Sequence, residues 1–94
     1  MISIVIKENK IEVTGHANQN ELGKDIVCAS VSTAIYFSLN LLEKLNIKTD
    51  YKLEEGYFLM NYNGNDLLKA IMENLEFTFK NLESQFPKYI KIKL

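Results

Sequence analysis

Hydrophobic and polar residues alternate along five stretches of the chain, and this period of two predicts β-strands. The stretches are residues 2–7, 10–16, 47–53, 57–63 and 89–94. Polar breaks at Glu8-Asn9 and Glu55-Gly56 separate the members of the first and the second pair, so each pair predicts a β-hairpin.

Two longer stretches carry the signals of helices. From residue 26 to about Leu45 the chain is almost continuously apolar, and Asp25 is a residue type that caps helix N-termini. In residues 65–86 the apolar positions are three and four apart, which predicts an amphipathic helix that ends before Pro87. The order β-β-α-β-β-α-β predicts an α+β fold, a two-layer arrangement in which two helices cover a mostly antiparallel sheet.

The first predicted helix is apolar or small on nearly every side. One sheet in a chain of 94 residues cannot cover all of that surface, so we expect a homodimer in which a second copy covers the remainder. Residues 26–42 carry no charge, but they fall short of a bilayer span and contain five polar residues, which predicts a soluble helix and no membrane partner. The five are Ser30, Ser32, Thr33, Ser38 and Asn40.

Composition limits the class of protein. With 47% hydrophobic and 24% charged residues, the chain is predicted to be a single ordered domain over residues 1–94. The formal net charge is -1 and arginine is absent, so we expect no direct nucleic-acid binding. A single cysteine cannot form an intramolecular disulfide, and the first residues are not apolar enough for a secretory signal, which predicts a cytoplasmic protein.

The only histidine and the only cysteine, His16 and Cys28, lie at the two ends of a predicted loop. If Asp25 caps the helix, Cys28 lies in the first turn, where unpaired backbone N–H groups favour a thiolate and can hold an oxyanion. His16 is a natural proton carrier near neutral pH. A Cys-His pair of this kind performs nucleophilic catalysis when the two side chains are within hydrogen-bond reach.

The residues alone leave a second interpretation open, in which Cys28 is an inert buried thiol and His16 an ordinary strand-end residue. Strict alternation places His16 on the face opposite Ile11 and Val13, away from a helix packed on the apolar face. Gly15 offers a solution, because a glycine at a strand end often marks a bulge that redirects the next side chain.

Other kinds of site are disfavoured. One histidine and one cysteine cannot alone build a tetrahedral zinc site. Gly15 and Gly23 are too far apart for a P-loop or a dinucleotide fingerprint, and a peroxidatic cysteine would have no second cysteine in the chain to resolve it. The sequence therefore predicts no cofactor and no metal site.

The segments "GHA" at residues 15–17 and "GKDIVCASVS" at residues 23–32 resemble the motif of the bacterial ribosomal-processing cysteine protease family (Prp, or YsxB-like). The family pattern is G-H-A, five or six residues, and then G-x-D-I-V-C-A-x-x-S. The resemblance is specific over residues 15–32 and elsewhere extends to length and element order. It implies a cysteine endopeptidase, usually a homodimer, that removes an N-terminal extension from a large-subunit ribosomal protein.

Carried onto this chain, the resemblance implies that His16 is the catalytic histidine and Cys28 the nucleophile, with Gly15, Asp25 and Ser32 at other motif positions. Asp25 either caps the helix or reaches His16 and fixes its tautomer. Ser32, four residues after Cys28, either hydrogen-bonds within the site or bonds back to a helix carbonyl. The family has a mobile loop that orders over substrate, and it corresponds here to Ala17, Asn18, Gln19, Asn20, Glu21, Leu22, Gly23 and Lys24.

Substrates of the family carry aromatic or aliphatic residues before the cut, which requires apolar subsites. The candidates to line them are Tyr36, Phe37, Tyr57, Phe58 and Tyr62. The leading hypothesis is a cytoplasmic cysteine protease with a His16-Cys28 dyad that processes a ribosomal protein. The alternative is a non-catalytic homodimeric α+β module that binds a ribosomal or other protein partner.

Overall fold

The strands and helices follow the predicted order. A computed structural model of the chain describes residues 1–15 and 22–94, and for residues 22–25 it describes the backbone alone. The elements are β1 (Ile2–Lys7), β2 (Lys10–Thr14), α1 (Leu22–Lys44), β3 (Asp50–Glu54), β4 (Tyr57–Asn61), α2 (Asp66–Gln85) and β5 (Ile90–Lys93).

The five strands form one mixed sheet in the order β3-β4-β2-β1-β5. Neighbouring strands are antiparallel except β1 and β5, which are parallel. Strands β4 and β5 run in the same direction, so the chain needs a crossover between them, and α2 provides it. The predicted α+β class, with two helices on a mostly antiparallel sheet, is confirmed.

The core lies between one face of the sheet and the two helices. Ile4 pairs with Val13 and Val13 pairs with Phe58, so these side chains share the face toward the helices, and all three are buried. Burial of such a side chain contributes about 1.5–3 kcal/mol, which holds both helices against the sheet. The largest fully buried side chains are Phe58, Phe79, Ile4, Ile11, Leu42, Met60, Met72, Leu75, Ile90 and Val27.

Helix α2 matches its prediction closely. The side chain of Asn65 accepts a hydrogen bond from the Leu68 N–H at 2.9 Å, which satisfies one of the unpaired donors at the helix start. At the other end the N–H of Phe86 donates to the Leu82 carbonyl, and Pro87 follows. Local signals at both ends therefore set the bounds of this helix.

Helix α1 begins earlier than predicted, and this corrects three expectations. Its first residue is Leu22, so the predicted gating loop is too long and its last three residues, 22–24, are helical. The prediction that Asp25 caps the helix is wrong, because Asp25 lies inside it. Cys28 is accordingly in the second turn instead of the first. A glycine inside a helix costs only about 1 kcal/mol, so Gly23 does not stop the helix.

Helix α1 buries one face and leaves another uncovered. The buried face consists of Val27, Val31, Ile35, Leu39 and Leu42. The uncovered face, called here the open face of α1, carries Ile26, Phe37 and Leu41, and Phe37 is the most exposed of these at 69%. Exposed apolar side chains along one helix face are characteristic of a protein contact.

The segment Ile26–Lys44 is also long and apolar enough to cross a membrane, with a mean hydropathy of 1.5. A helix that packs in the core of a soluble domain can pass the same test. Here the buried face of α1 belongs to the main apolar core, together with strands β1, β2 and β4.

Candidate active site

A cleft of about 680 Å³ opens where α1 passes over one end of the sheet. One wall is the α1 segment that carries Cys28, Ser32 and Tyr36. The opposite side is formed by the end of β2 at Gly15 and by the turn between β3 and β4. The remaining lining residues are Ile2, Val13, Ala29, Val31, Ile35, Leu53, Glu54, Glu55, Gly56, Tyr57 and Phe58.

The cleft brings Cys28 and Ser32 together on one face of α1. They are four residues apart, so their side chains lie one turn above the other. Cys28 is half-buried and has a free thiol. Cys28 lies in the second turn, so its backbone N–H is not one of the unpaired donors at the helix start. The predicted stabilisation of an oxyanion beside Cys28 by those donors therefore does not apply.

The Ser32 hydroxyl differs from those of the neighbouring serines of α1. Ser30 donates to the carbonyl of Ile26 and Ser38 to that of Ala34, each at 2.9 Å. Within the part of the chain that the structure describes, the Ser32 hydroxyl makes no hydrogen bond, so it does not bond back to the carbonyl of Cys28. It faces the cleft with a donor to offer a ligand.

Gly15 is held between two other segments of the chain. Its N–H donates to the Gly56 carbonyl at 3.0 Å, which extends the β2–β4 pairing into the turn between β3 and β4. Its φ is +120°, a conformation that side-chain-bearing residues rarely adopt. A Cβ on this residue would lie 2.3 Å from the backbone oxygen of Met1. The position therefore requires glycine, and it fixes the direction in which the chain leaves β2.

Not all of the predicted site residues can be placed. His16 and residues 17–21 of the predicted gating loop lie outside the described residues, as does the side chain of Asp25. The described chain ends before them at Gly15, at the rim of the cleft that contains Cys28.

Tyr57 and Glu12 occupy neighbouring positions on β4 and β2. The Tyr57 hydroxyl donates to a carboxylate oxygen of Glu12 at 2.8 Å. This hydrogen bond to a carboxylate is the largest cause of the raised pKa of Tyr57, with smaller contributions from partial burial and from the charges of Glu12 and Glu54. The bond links β2 to β4 at the end of the sheet that carries the cleft.

Of the five aromatic residues predicted as candidate subsite residues, Tyr36, Tyr57 and Phe58 line the cleft. Phe37 does not, because it lines a separate groove between α1 and α2. Tyr62 follows the far end of β4, where its buried hydroxyl donates to Glu76 at 2.8 Å. The sequence did not predict that the turn between β3 and β4 lines the cleft. The Glu55-Gly56 pair predicts a turn, but it does not predict that this turn lies beside the end of β2.

The model of the family described as "Cysteine protease Prp" matches residues 1–91. This chain belongs to the Prp family. The curated Staphylococcus aureus protein named ribosomal processing cysteine protease Prp is 25% identical over 91 residues, which cover 92% of this chain and 86% of that protein.

Solved structures agree on the fold. The S. aureus Prp protease in complex with a substrate peptide superposes with a TM-score of 0.83 at 22% identity, covering 98% of this chain and 95% of that one. The same protease with a covalently linked product peptide gives a TM-score of 0.80 at 23% identity, with the same coverage. The protein SMU.848 from Streptococcus mutans gives 0.76 at 26% identity, covering 98% and 90%.

Membership of the Prp family decides between the two functional hypotheses. The chain is a cysteine protease of a ribosomal-processing family, and the non-catalytic module is not supported. The resemblance stated from the residue 15–32 motif is confirmed over nearly the whole chain.

Proposed function

We propose that this protein is a cysteine endopeptidase that uses Cys28 as its nucleophile and His16 as its base. The observation that carries the proposal is that the chain of this cysteine protease has one cysteine and one histidine. That cysteine is half-buried in the wall of a cleft whose opposite rim, at Gly15, directly precedes the histidine.

In the proposed reaction the Cys28 thiol transfers its proton to His16, and the sulfur attacks the carbonyl carbon of the scissile peptide bond. The C–N bond then breaks, the leaving amine takes the proton from His16, and a thioester remains on Cys28. A water molecule then attacks the thioester carbonyl carbon, and His16 accepts a proton from that water. The C–S bond breaks, and His16 returns the proton to the sulfur, which restores the Cys28 thiol.

The hydroxyl of Ser32 is the proposed donor within the site. It lies one turn from Cys28, faces the same cleft and has no described partner in the chain. A donor with no partner among the described residues is available to stabilise the oxyanion that develops on the substrate carbonyl. This role replaces the one that the backbone of the first helical turn was predicted to perform.

The proposed substrate is a large-subunit ribosomal protein whose N-terminal extension is removed. The floor of the cleft is apolar, with buried Val13, Ile35 and Phe58 and half-buried Leu53. Such a surface suits an aromatic or aliphatic side chain before the cut. The S. aureus relative crystallised with a substrate peptide supports a peptide as the ligand class.

We further propose that the protein is a cytoplasmic homodimer. The open face of α1 includes Ile26 and Phe37, which are 49% and 69% exposed in the described part of the chain. A second copy that packs on this face would remove its apolar surface from water.

A synthetic peptide that spans the extension and the junction of the ribosomal protein tests the proposed activity. We expect wild type to produce a single cut, identified by mass spectrometry, and Cys28→Ser and His16→Ala each to lose most of the rate. Circular dichroism checks that both variants remain folded. Cleavage at the wild-type rate by Cys28→Ser would overturn the assignment of the nucleophile.

Alkylation provides a second measurement that needs no substrate. Iodoacetamide should modify Cys28 faster at neutral pH in wild type than in His16→Ala, because a neighbouring base increases the thiolate fraction. Equal rates in the two folded proteins would show that the two residues do not act as a pair.

A further inference from the structure

The two edges of the sheet differ in how their backbone groups are used. At the β5 edge, the pairing with β1 leaves the N–H groups of Ile90 and Ile92 pointing away from the sheet. Both are satisfied within the chain, since Ile90 donates to the Phe86 carbonyl at 3.2 Å and Ile92 to a Glu83 carboxylate oxygen at 2.8 Å. This edge cannot accept another strand without losing those bonds.

The other edge, β3, has outward-facing backbone groups that can be identified from the pairing register. Gly15 and Tyr62 donate from the two ends of the β2–β4 ladder to Gly56 and Asn9, which shows that alternate β4 residues, including Phe58 and Met60, bond to β2. The residues between them bond to β3 through Glu54, Lys52 and Asp50.

It follows that the N–H and C=O groups of Tyr51 and Leu53 point away from the sheet. Within the described part of the chain, no hydrogen bond uses them. Unlike β5, strand β3 therefore has edge donors and acceptors that no described residue occupies.

This open edge is continuous with the cleft. Tyr51 and Leu53 pair with Met60 and Phe58, so their side chains are on the face toward the helices. Leu53 lines the cleft, and the Tyr51 ring lies against Phe58 with its centroid 6.3 Å away. Tyr51 remains 47% exposed, so the helices do not cover this part of the sheet.

We propose that an extended segment of the polypeptide substrate pairs with β3 as a sixth strand, through the backbone groups of Tyr51 and Leu53. This inference rests on the proposed function. Alternate side chains of the added segment would point toward the helix layer, where the apolar lining of the cleft lies, and the segment would continue past Glu54 toward Cys28. Backbone pairing of this kind positions a substrate through its N–H and C=O groups, so the side chains on the face away from the helices need not be of a particular type.

Charge favours a substrate segment over a second copy of the chain as the occupant of this edge. Asp50, Glu54 and Glu55 place three carboxylates on β3 and its turn, against the single ammonium of Lys52. Two copies paired through β3 would bring these carboxylates together, and like charges on paired strands are destabilising. The proposed substrate is a ribosomal protein, and proteins that bind nucleic acid are rich in lysine and arginine. The acidic edge therefore complements a basic peptide.

An N-methyl scan of the peptide substrate tests the pairing. Binding of the junction peptide to the full-length Cys28→Ala variant is measured by fluorescence anisotropy, with one backbone amide methylated at a time. We expect affinity to fall roughly three- to tenfold at every second position of one segment and to stay unchanged at the positions between, because each affected N–H loses one hydrogen bond. A loss without this period, or no loss at all, would overturn the pairing.

A matched pair of enzyme variants tests the other partner. Leu53→Pro removes the outward N–H without removing a bond to β4, and proline is tolerated at such edge positions. Leu53→Ala keeps the N–H while shortening the side chain. We expect Leu53→Pro to weaken binding beyond Leu53→Ala by roughly three- to tenfold. If Leu53→Pro does not fold, the N-methyl scan decides alone.

The results separate this proposal from the proposed function. Peptide binding and cleavage that are insensitive to backbone methylation would overturn the pairing and leave the protease assignment intact. Failure of wild type to cleave the unmodified peptide, together with failure of Cys28→Ala to bind it, would overturn both. A change of oligomeric state in Leu53→Pro with unchanged peptide affinity would identify the edge as a contact between copies.

Discussion

Replacing Gly15 by alanine should damage both the stability and the activity of this protease. Gly15 has a φ of +120°, and an added Cβ would lie 2.3 Å from the Met1 oxygen and 3.2 Å from the Cα of Ile2. A carbon–oxygen contact is ordinarily about 3.3 Å or longer, so the start of β1 must retreat by about 1 Å.

The magnitude follows from these two costs. A side-chain-bearing residue in this region of φ costs about 1–3 kcal/mol, and displacing paired backbone adds to it, so we expect about 2–4 kcal/mol of lost stability. For a domain of this size that lowers Tm by roughly 10–30 °C. Displacing a catalytic group by about 1 Å costs about 100-fold in rate, and Gly15 directly precedes His16, the proposed base.

Gly64→Ala is the matched control. Gly64 also has a positive φ, +75°, but nothing lies within 4 Å of the position of its added Cβ. We expect it to cost about 1 kcal/mol and to leave the cleavage rate unchanged. Urea unfolding measures the stability of both variants, and cleavage is measured at a temperature at which both are folded. Stabilities within about 0.5 kcal/mol of each other would refute the argument from the Met1 contact.

Three further predictions concern other parts of the molecule. Ser32→Ala should lower kcat about tenfold or more, while Ser30→Ala should not change it, because the Ser30 hydroxyl is already bonded to its own helix; equal rates for the two variants would contradict the role of Ser32. Phe37→Lys should convert the proposed dimer to a monomer by light scattering, and a dimer that persists would place the contact elsewhere. Burial, and to a smaller extent the hydrogen bond to Glu76, raises the pKa of Tyr62 above its ordinary value of 10.0. Tyr62 therefore ionises at a lower pH in the unfolded chain than in the folded protein, so stability should fall as pH rises above that value. Tyr62→Phe should reduce this fall, at a cost of about 1 kcal/mol near pH 7, and an unchanged pH dependence in chemical unfolding would contradict the assignment.

Elements whose limits depend on local chemistry were predictable from the sequence. Helix α2 begins directly after its cap Asn65 because the side chain of that residue accepts a hydrogen bond from the first turn. It ends before Pro87, which has no N–H to continue the helix. The start of helix α1 was not predicted correctly. Asp25 is a capping residue by type, but it lies inside α1, whose first residue is Leu22, and the cost of about 1 kcal/mol for Gly23 does not stop the helix.

The composition of the cleft depends on strand order, which local patterns do not determine. The sequence predicted both hairpins, but only the pairing of β2 with β4 brings Gly56 against Gly15 and places the second hairpin turn at the site. The same holds for the aromatic candidates. Phe37 follows Tyr36 by one residue, yet that step is about 100° around a helix and turns its ring to a different groove. Tyr57 is the first residue of β4 and Tyr62 follows the last one, so only Tyr57 reaches the cleft.

The pairing of the first strand with the last has a consequence for the time at which this protease forms. The N–H of Ile2 donates to the carbonyl of Tyr89, and Met1 lies against Gly15 at the rim of the cleft. Domains fold as units once their residues have emerged during synthesis, and β1 cannot gain its parallel neighbour until residues 90–93 have left the exit tunnel. A nascent chain whose β5 is still inside the tunnel thus lacks the outer neighbour of β1, and cleavage activity should begin only once residues 90–93 have emerged.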